Sequence, residues 1–174
     1  MWDEALRTEA LTGDIVGNGG RNGERVGELA ATLLTGEGGP SVLMLETGGW
    51  DTHRNQSGCM ANQLGGLDAL LGSLKAGLGP VWRDTLVLVA TEFGRTAAIN
   101  GTGGTDHGTG SAALLLGGAL PAGDPVVADW PGLSRLYEDR DLAPTGDLLA
   151  IATRALAGHF GVDEDRALAA LSPG

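Results

Sequence analysis

Apolar residues recur along this chain with two different periods, and the alternation of the two lays out its elements. Leu64, Leu67, Leu71, Leu74 and Leu78 are spaced three or four apart and stop before Gly79-Pro80, so they predict a helix with an apolar stripe. Val26, Leu29, Ala30, Leu33 and Leu34 predict another over about 24–35, ended by Gly36-Glu37-Gly38-Gly39-Pro40. Leu149, Ala152, Leu156 and Phe160 mark a third over about 146–160, with further helices expected at 2–12 and near 163–171. Between them stand short continuous apolar runs at 41–46, 85–90 and 112–116. Runs of that length read as buried strands, since helices are usually longer.

The order strand, helix, strand, loop, strand implies parallel pairing through a right-handed crossover. The expected fold is therefore α/β: a three-layer sandwich with a mostly parallel sheet, one domain over 1–174, and the 64–78 helix packed across the sheet. The run Gly17-Asn18-Gly19-Gly20-Arg21-Asn22-Gly23 reads as a mobile loop. Beyond Gly123 the pattern becomes irregular through Pro125, Pro131 and Pro144.

Composition narrows the function classes. The 31 glycines have no fixed period, which excludes a collagen-like chain and points to many tight loops. With four Trp, one Tyr and two Phe, the core must rest on Leu, Val and Ala. A net charge of −11 and the lack of any Lys/Arg cluster argue against nonspecific nucleic-acid binding, which needs a basic footprint. Cys59 is the only cysteine, so neither an intrachain disulfide nor a cysteine zinc site can form. No apolar run approaches the ~20 residues of a membrane span. Met1-Trp2-Asp3-Glu4 has neither a basic nor an apolar leader region, so no signal peptide is expected there.

The chemistry-bearing residues concentrate in three stretches: Gly48-Gly49-Trp50-Asp51-Thr52-His53, Thr91-Glu92-Phe93-Gly94-Arg95-Thr96 and Gly104-Thr105-Asp106-His107-Gly108. Two of the three histidines lie there, each within two positions of an aspartate. In open parallel sheets functional groups gather beyond the carboxyl ends of strands. Asp51 and His53 would follow the first strand and Glu92 the second. Asp106 and His107 would reach the same edge if the 100–110 loop folds back.

Each stretch alone has an ordinary reading: Asp51-Thr52-His53 and Asp106-His107 as hydrogen-bonded loops, Glu92 with Arg95 as an ion pair, Trp50 as packing. His159, late in its helix, reads as a surface or capping residue. Taken together at strand ends, Asp51, His53, Glu92, Asp106 and His107 read as a shared oxygen/nitrogen metal site suited to zinc or manganese. The planar fork of Arg95 would match the oxygens of an anionic phosphate or sulfate ester.

Gly49-Trp50-Asp51-Thr52-His53 with Asn55-Gln56, then Glu92-Phe93-Gly94-Arg95-Thr96, then Asn100 and Gly104-Thr105-Asp106-His107-Gly108, resembles a bacterial group known as domain of unknown function 1501. Asp141-Leu142-Ala143-Pro144-Thr145-Gly146-Asp147 is similar to the start of that group's C-terminal helix. The resemblance runs from about Gly23 to the end, with residues 1–21 left as a helix and flexible loop. Members are often described as sulfatase-like and exported by the twin-arginine route. The resemblance thus implies the alkaline phosphatase and sulfatase superfamily, a three-layer α/β fold with one or two metals. In that scheme Asp51 and His53 match the first ligand pair, Glu92 the acidic position after the next strand, and His107 the late histidine, with Asp106 as its partner.

Two departures follow from the same comparison. The superfamily has Asp-His where this chain has Glu92-Phe93, which removes one imidazole. It also takes its nucleophile and a further metal-binding Asp from an N-terminal half, which nothing before Gly23 resembles. The expected function is therefore the C-terminal part of a metal-dependent phosphatase/sulfatase-like hydrolase, without turnover on its own. The alternative is a non-catalytic exported module that binds metal or a partner through the same loops. In a third reading the histidines merely tie loops together.

Overall fold

The computed structural model describes residues 22–120 and 129–171. The expected 2–12 helix and most of the 17–23 loop lie outside the described residues. The described elements are helices α1 (Gly23–Thr35), α2 (Gln56–Leu78), α3 (Leu148–Phe160) and α4 (Glu164–Leu171), a 3-10 turn over Gly79–Asp84, and strands β1 (Val87–Val89), β2 (Gly94–Arg95), β3 (His107–Gly108) and β4 (Leu114–Leu116). They fall into two compact units. The first holds the residues up to Trp82 together with Asn100–Gly104, and the second holds Arg83–Ile99 and Thr105 onward.

In the first unit α1 packs on α2. Val26, Ala30 and Ala31 on α1 and Leu70, Leu74 and Leu78 on α2 are buried. The helices approach so closely because both present small residues. A methyl group at Gly23 would strike the Gly66 carbonyl, and one at Gly27 would strike the Leu70 carbonyl and the Leu74 amide. Ser73 Oγ reaches across to the Glu24 carbonyl at 2.8 Å. The buried stripe of α2 is accordingly Gln63, Gly66, Leu70, Leu74 and Leu78. Leu64, assigned to the core stripe by its spacing, is 52% exposed. Glycine sends no hydrophobic signal, yet it selects the face that allows close approach. The helix also begins earlier than its leucines indicate, at Asn55, whose φ of 45° turns the chain into α2.

The expected strand at 41–46 does not form. Those residues belong to no helix or ladder, with Leu43 and Leu45 half-buried, Val42 and Met44 exposed, and Met44 91% exposed.

The second unit holds two two-stranded sheets, and both are antiparallel. β1 pairs with β4 in the register Val87↔Leu116, Leu88↔Leu115 and Val89↔Leu114, and β2 pairs with β3 as Gly94↔Gly108 and Arg95↔His107. This overturns the three-layer sandwich with a mostly parallel, alkaline phosphatase-like sheet. Parallel pairing needs a crossover, usually a helix, and no helix lies between Val89 and Leu114. The chain instead returns through β2 and β3 and runs back along β1. Within the first unit, the buried stripe of the 64–78 helix is taken by α1.

Asp141, 1% exposed, organises the second unit. Arg140 Nε donates to its Oδ1 at 2.7 Å and Thr109 Oγ1 to its Oδ2 at 2.9 Å, while its backbone bridges to Thr96 and Tyr137. The Arg140 hydrogen bond, helped by Thr109, holds the Asp141 carboxyl below the usual carboxylate value against the opposing effect of burial. Past Pro144, Asp147 caps α3 by accepting from the Ala150 amide at 3.0 Å, and Gly161 closes the helix in the left-handed region. α4 packs back on α3. Among the described residues no helix is long and apolar enough to cross a membrane.

Candidate metal centre

The first unit supplies one half of the candidate chemistry. Gly49, with φ 88°, turns the chain beside the buried Gln63 of α2, whose amide donates to the Gly48 carbonyl. Trp50 Nε1 donates to Thr47 Oγ1 at 2.9 Å. From there the side chains alternate: Thr52 is buried while Asp51 and His53 face solvent. Asp51 Oδ1 and His53 Nε2 meet at 2.8 Å, with both side chains about half exposed. The donor set passes a chemical test for a cation. One carboxylate oxygen and one imidazole nitrogen 2.8 Å apart can both reach a single ion at ~2.0–2.2 Å, with an angle nearer the octahedral than the tetrahedral one.

The loop 100–104 folds onto this segment. Gly104 lies so close to the His53–Arg54 peptide that a methyl group there would strike it. Arg54 bridges to Gly103, and the Gln56 amide donates to the Gly103 carbonyl at 2.9 Å. That contact satisfies one of the amides left without an intrahelical partner at the start of α2.

The second unit holds a group of candidate residues of its own, on the β2–β3 ribbon. The His107 ring stacks on Phe93, centroids 4.5 Å apart and planes 11° from parallel. Arg95, the register partner of His107, sets its guanidinium 4.8 Å from the centre of the Phe93 ring. Its Nη1 donates to the Thr105 carbonyl at 2.9 Å. The Asp106 backbone is fixed on both sides, its carbonyl accepting from the Thr96 amide at 3.0 Å and its amide donating to Thr96 Oγ1 at 3.2 Å.

The sequence-predicted residues therefore divide. Asp51 and His53 are in direct contact within the first unit. Phe93, Arg95 and His107 form one stack within the second. Glu92 and Asp106 are exposed, and with His107 they make no three-ligand group among the described residues of that unit. The sheet edge expected to root all five does not exist. Loops and a two-residue ribbon take its place.

Sequence reasoning missed Gln63 and Thr102, which hold the backbone beneath the ligands, and it gave Asn100 and Asp141 no role beyond membership of a motif. Only the closeness of Asn100 to Gly104-Thr105-Asp106-His107 offered a signal.

The geometry defines a protein with a close helical pair, small antiparallel sheets and an exposed carboxylate–imidazole pair on a strapped loop. The sequence model of the family described as protein of unknown function (DUF1501) matches residues 3–165, and the chain belongs to that family. The match takes in residues ahead of Gly23, where the motif resemblance began. No curated protein and no solved structure matches the chain.

Proposed function

We propose that this chain is a metal-binding module that holds a divalent cation, zinc or manganese, through Asp51 and His53. The observation that carries the reading is the 2.8 Å approach of Asp51 Oδ1 to His53 Nε2 on an exposed loop. A second support lies within the same unit, where Gly104 packs on the His53 peptide and holds the loop that carries the pair.

The bound cation would supply Lewis acidity toward an anionic oxygen. The residues of this chain would orient the ligands and place the Arg95 guanidinium beside His107. That last feature favours a second reading, a contribution to phosphate or sulfate ester hydrolysis as part of a sulfatase-like, exported enzyme. The family resemblance assigns no nucleophile to these residues, so binding is the proposed activity.

Calorimetric titration with zinc and with manganese tests the reading. Binding by the wild type, weakened in His53→Ala and Asp51→Asn, is the expected result. Identical isotherms for all three proteins would remove these residues as ligands. Metal-dependent ester turnover by the pure chain would replace the module with an enzyme.

A further inference from the structure

We infer that Asn100 is the positioning residue of this centre, acting with Thr102 as a clamp on the His53 peptide; the inference rests on the metal-binding reading above. Asn100 Nδ2 donates to the His53 carbonyl at 2.9 Å. Its Oδ1 accepts from the amides of Thr102 and Gly104, each at 3.0 Å. Two backbone donors converging on one side-chain atom fix the orientation of the amide, because only the oxygen can accept. Thr102 Oγ1 lies 2.6 Å from the His53 carbonyl and 2.9 Å from Asn100 Oδ1, and its single proton serves one of the two. The Asn100 amide itself donates to the Gly104 carbonyl at 2.8 Å, which closes the loop on itself.

The consequence is a fixed backbone at one ligand of the centre. The His53 carbonyl receives the clamp, so the backbone that aims its imidazole cannot rotate freely. The clamp stands on the segment Asn100–Gly104 of the same unit. Neither Asn100 nor Thr102 touches the cation in this scheme. They hold the peptide that presents the His53 imidazole beside Asp51. Removing an outer partner of a metal ligand typically weakens metal affinity ~10–100-fold.

The test titrates zinc, and separately manganese, into the full chain and its variants Asn100→Asp, Thr102→Val and Thr102→Ser, with His53→Ala as the ligand-loss control. Asn100→Asp keeps the acceptor for the two amides and sets a carboxylate oxygen against the His53 carbonyl. Thr102→Val removes the hydroxyl at nearly constant shape. Both are expected to weaken binding by about tenfold or more, with circular dichroism unchanged, while Thr102→Ser stays within about twofold of wild type. Clamp variants that melt earlier yet bind metal as the wild type does would show a purely structural loop and overturn the inference. If Asn100→Asp does not fold, Thr102→Val decides alone. A wild type that binds neither metal overturns both the centre and the clamp. Binding lost in His53→Ala but kept in the clamp variants overturns the clamp and leaves the centre standing.

Discussion

Glycine to alanine within a helix ordinarily stabilises, and in this protein the sign should depend on which glycine is changed. Alanine is favoured over glycine in a helix interior by ~0.8–1.0 kcal/mol. Gly72, on α2, has open space where a Cβ would go, so Gly72→Ala should gain most of that amount. Gly27, on α1, faces the Leu70 carbonyl, the Leu74 amide and Ser73 Oγ of α2. Ser73 Oγ can rotate away, but the backbone atoms cannot. The helices must part, which loosens Val26 and Ala30 against Leu70 and Leu74. Overpacking of this kind costs about 1–3 kcal/mol, occasionally more, and the retained helix preference offsets less than half of the upper figure. Gly27→Ala is therefore expected to be destabilised by up to about 2 kcal/mol, and to lie about 1–3 kcal/mol below Gly72→Ala. Urea denaturation followed by far-ultraviolet circular dichroism measures both midpoints. A Gly27→Ala protein as stable as Gly72→Ala would mean that the two helices do not cross at this distance.

Leu78→Ala should destabilise the first unit by about 3 kcal/mol in the same assay, because Leu78 is 2% exposed and truncation leaves a cavity in the helix pair. Asp141 gives a pH prediction. Its folded-state pKa lies below the unfolded value, so its stabilisation is complete above the ordinary carboxylate range and is lost as pH falls through the lowered folded value. Melting temperatures recorded as a function of pH should drop at the acid end for the wild type and more gently for Asp141→Asn; parallel curves would deny Asp141 its place at the centre of the second unit.

Local pattern located elements well and related them poorly. The helices over 23–35, 148–160 and 164–171 stand where 3.6-residue periodicity put them, and the apolar runs near 87–89 and 114–116 are strands. Their direction was not legible. Pairing sense follows from what joins two strands, and the joining segment holds a short ribbon instead of a crossover helix. The 41–46 run has the composition of a strand but no ladder, since composition reports what a segment can bury and not whether a partner is present. Leucine counting placed Leu74 and Leu78 in the α2 stripe and set its first three positions one residue late, because Gly66 carries no hydrophobic signal. For the candidate centre, spacing was enough to bring Asp51 to His53, because one intervening residue in an extended segment returns the chain to the same side. The parallel-sheet edge from which Glu92 was expected to project is replaced by two antiparallel pairs. The Asn100–His53 hydrogen bond spans 47 positions, and no local pattern encodes such a contact.

The first unit is written in two pieces of the chain, with Arg83–Ile99 of the other unit between them. A ribosome that has reached Trp82 has made both long helices of that unit and the Asp51–His53 loop, yet not the strand of chain that locks the loop. The helix pair can condense at once, whereas the His53 carbonyl waits for Asn100 and Thr102 to emerge. A truncation after Trp82 would thus keep the hydrophobic core and leave the loop carrying Asp51 and His53 without its strap. Closure of the strap over the His53 loop is therefore expected late in synthesis, after the helix pair beneath it.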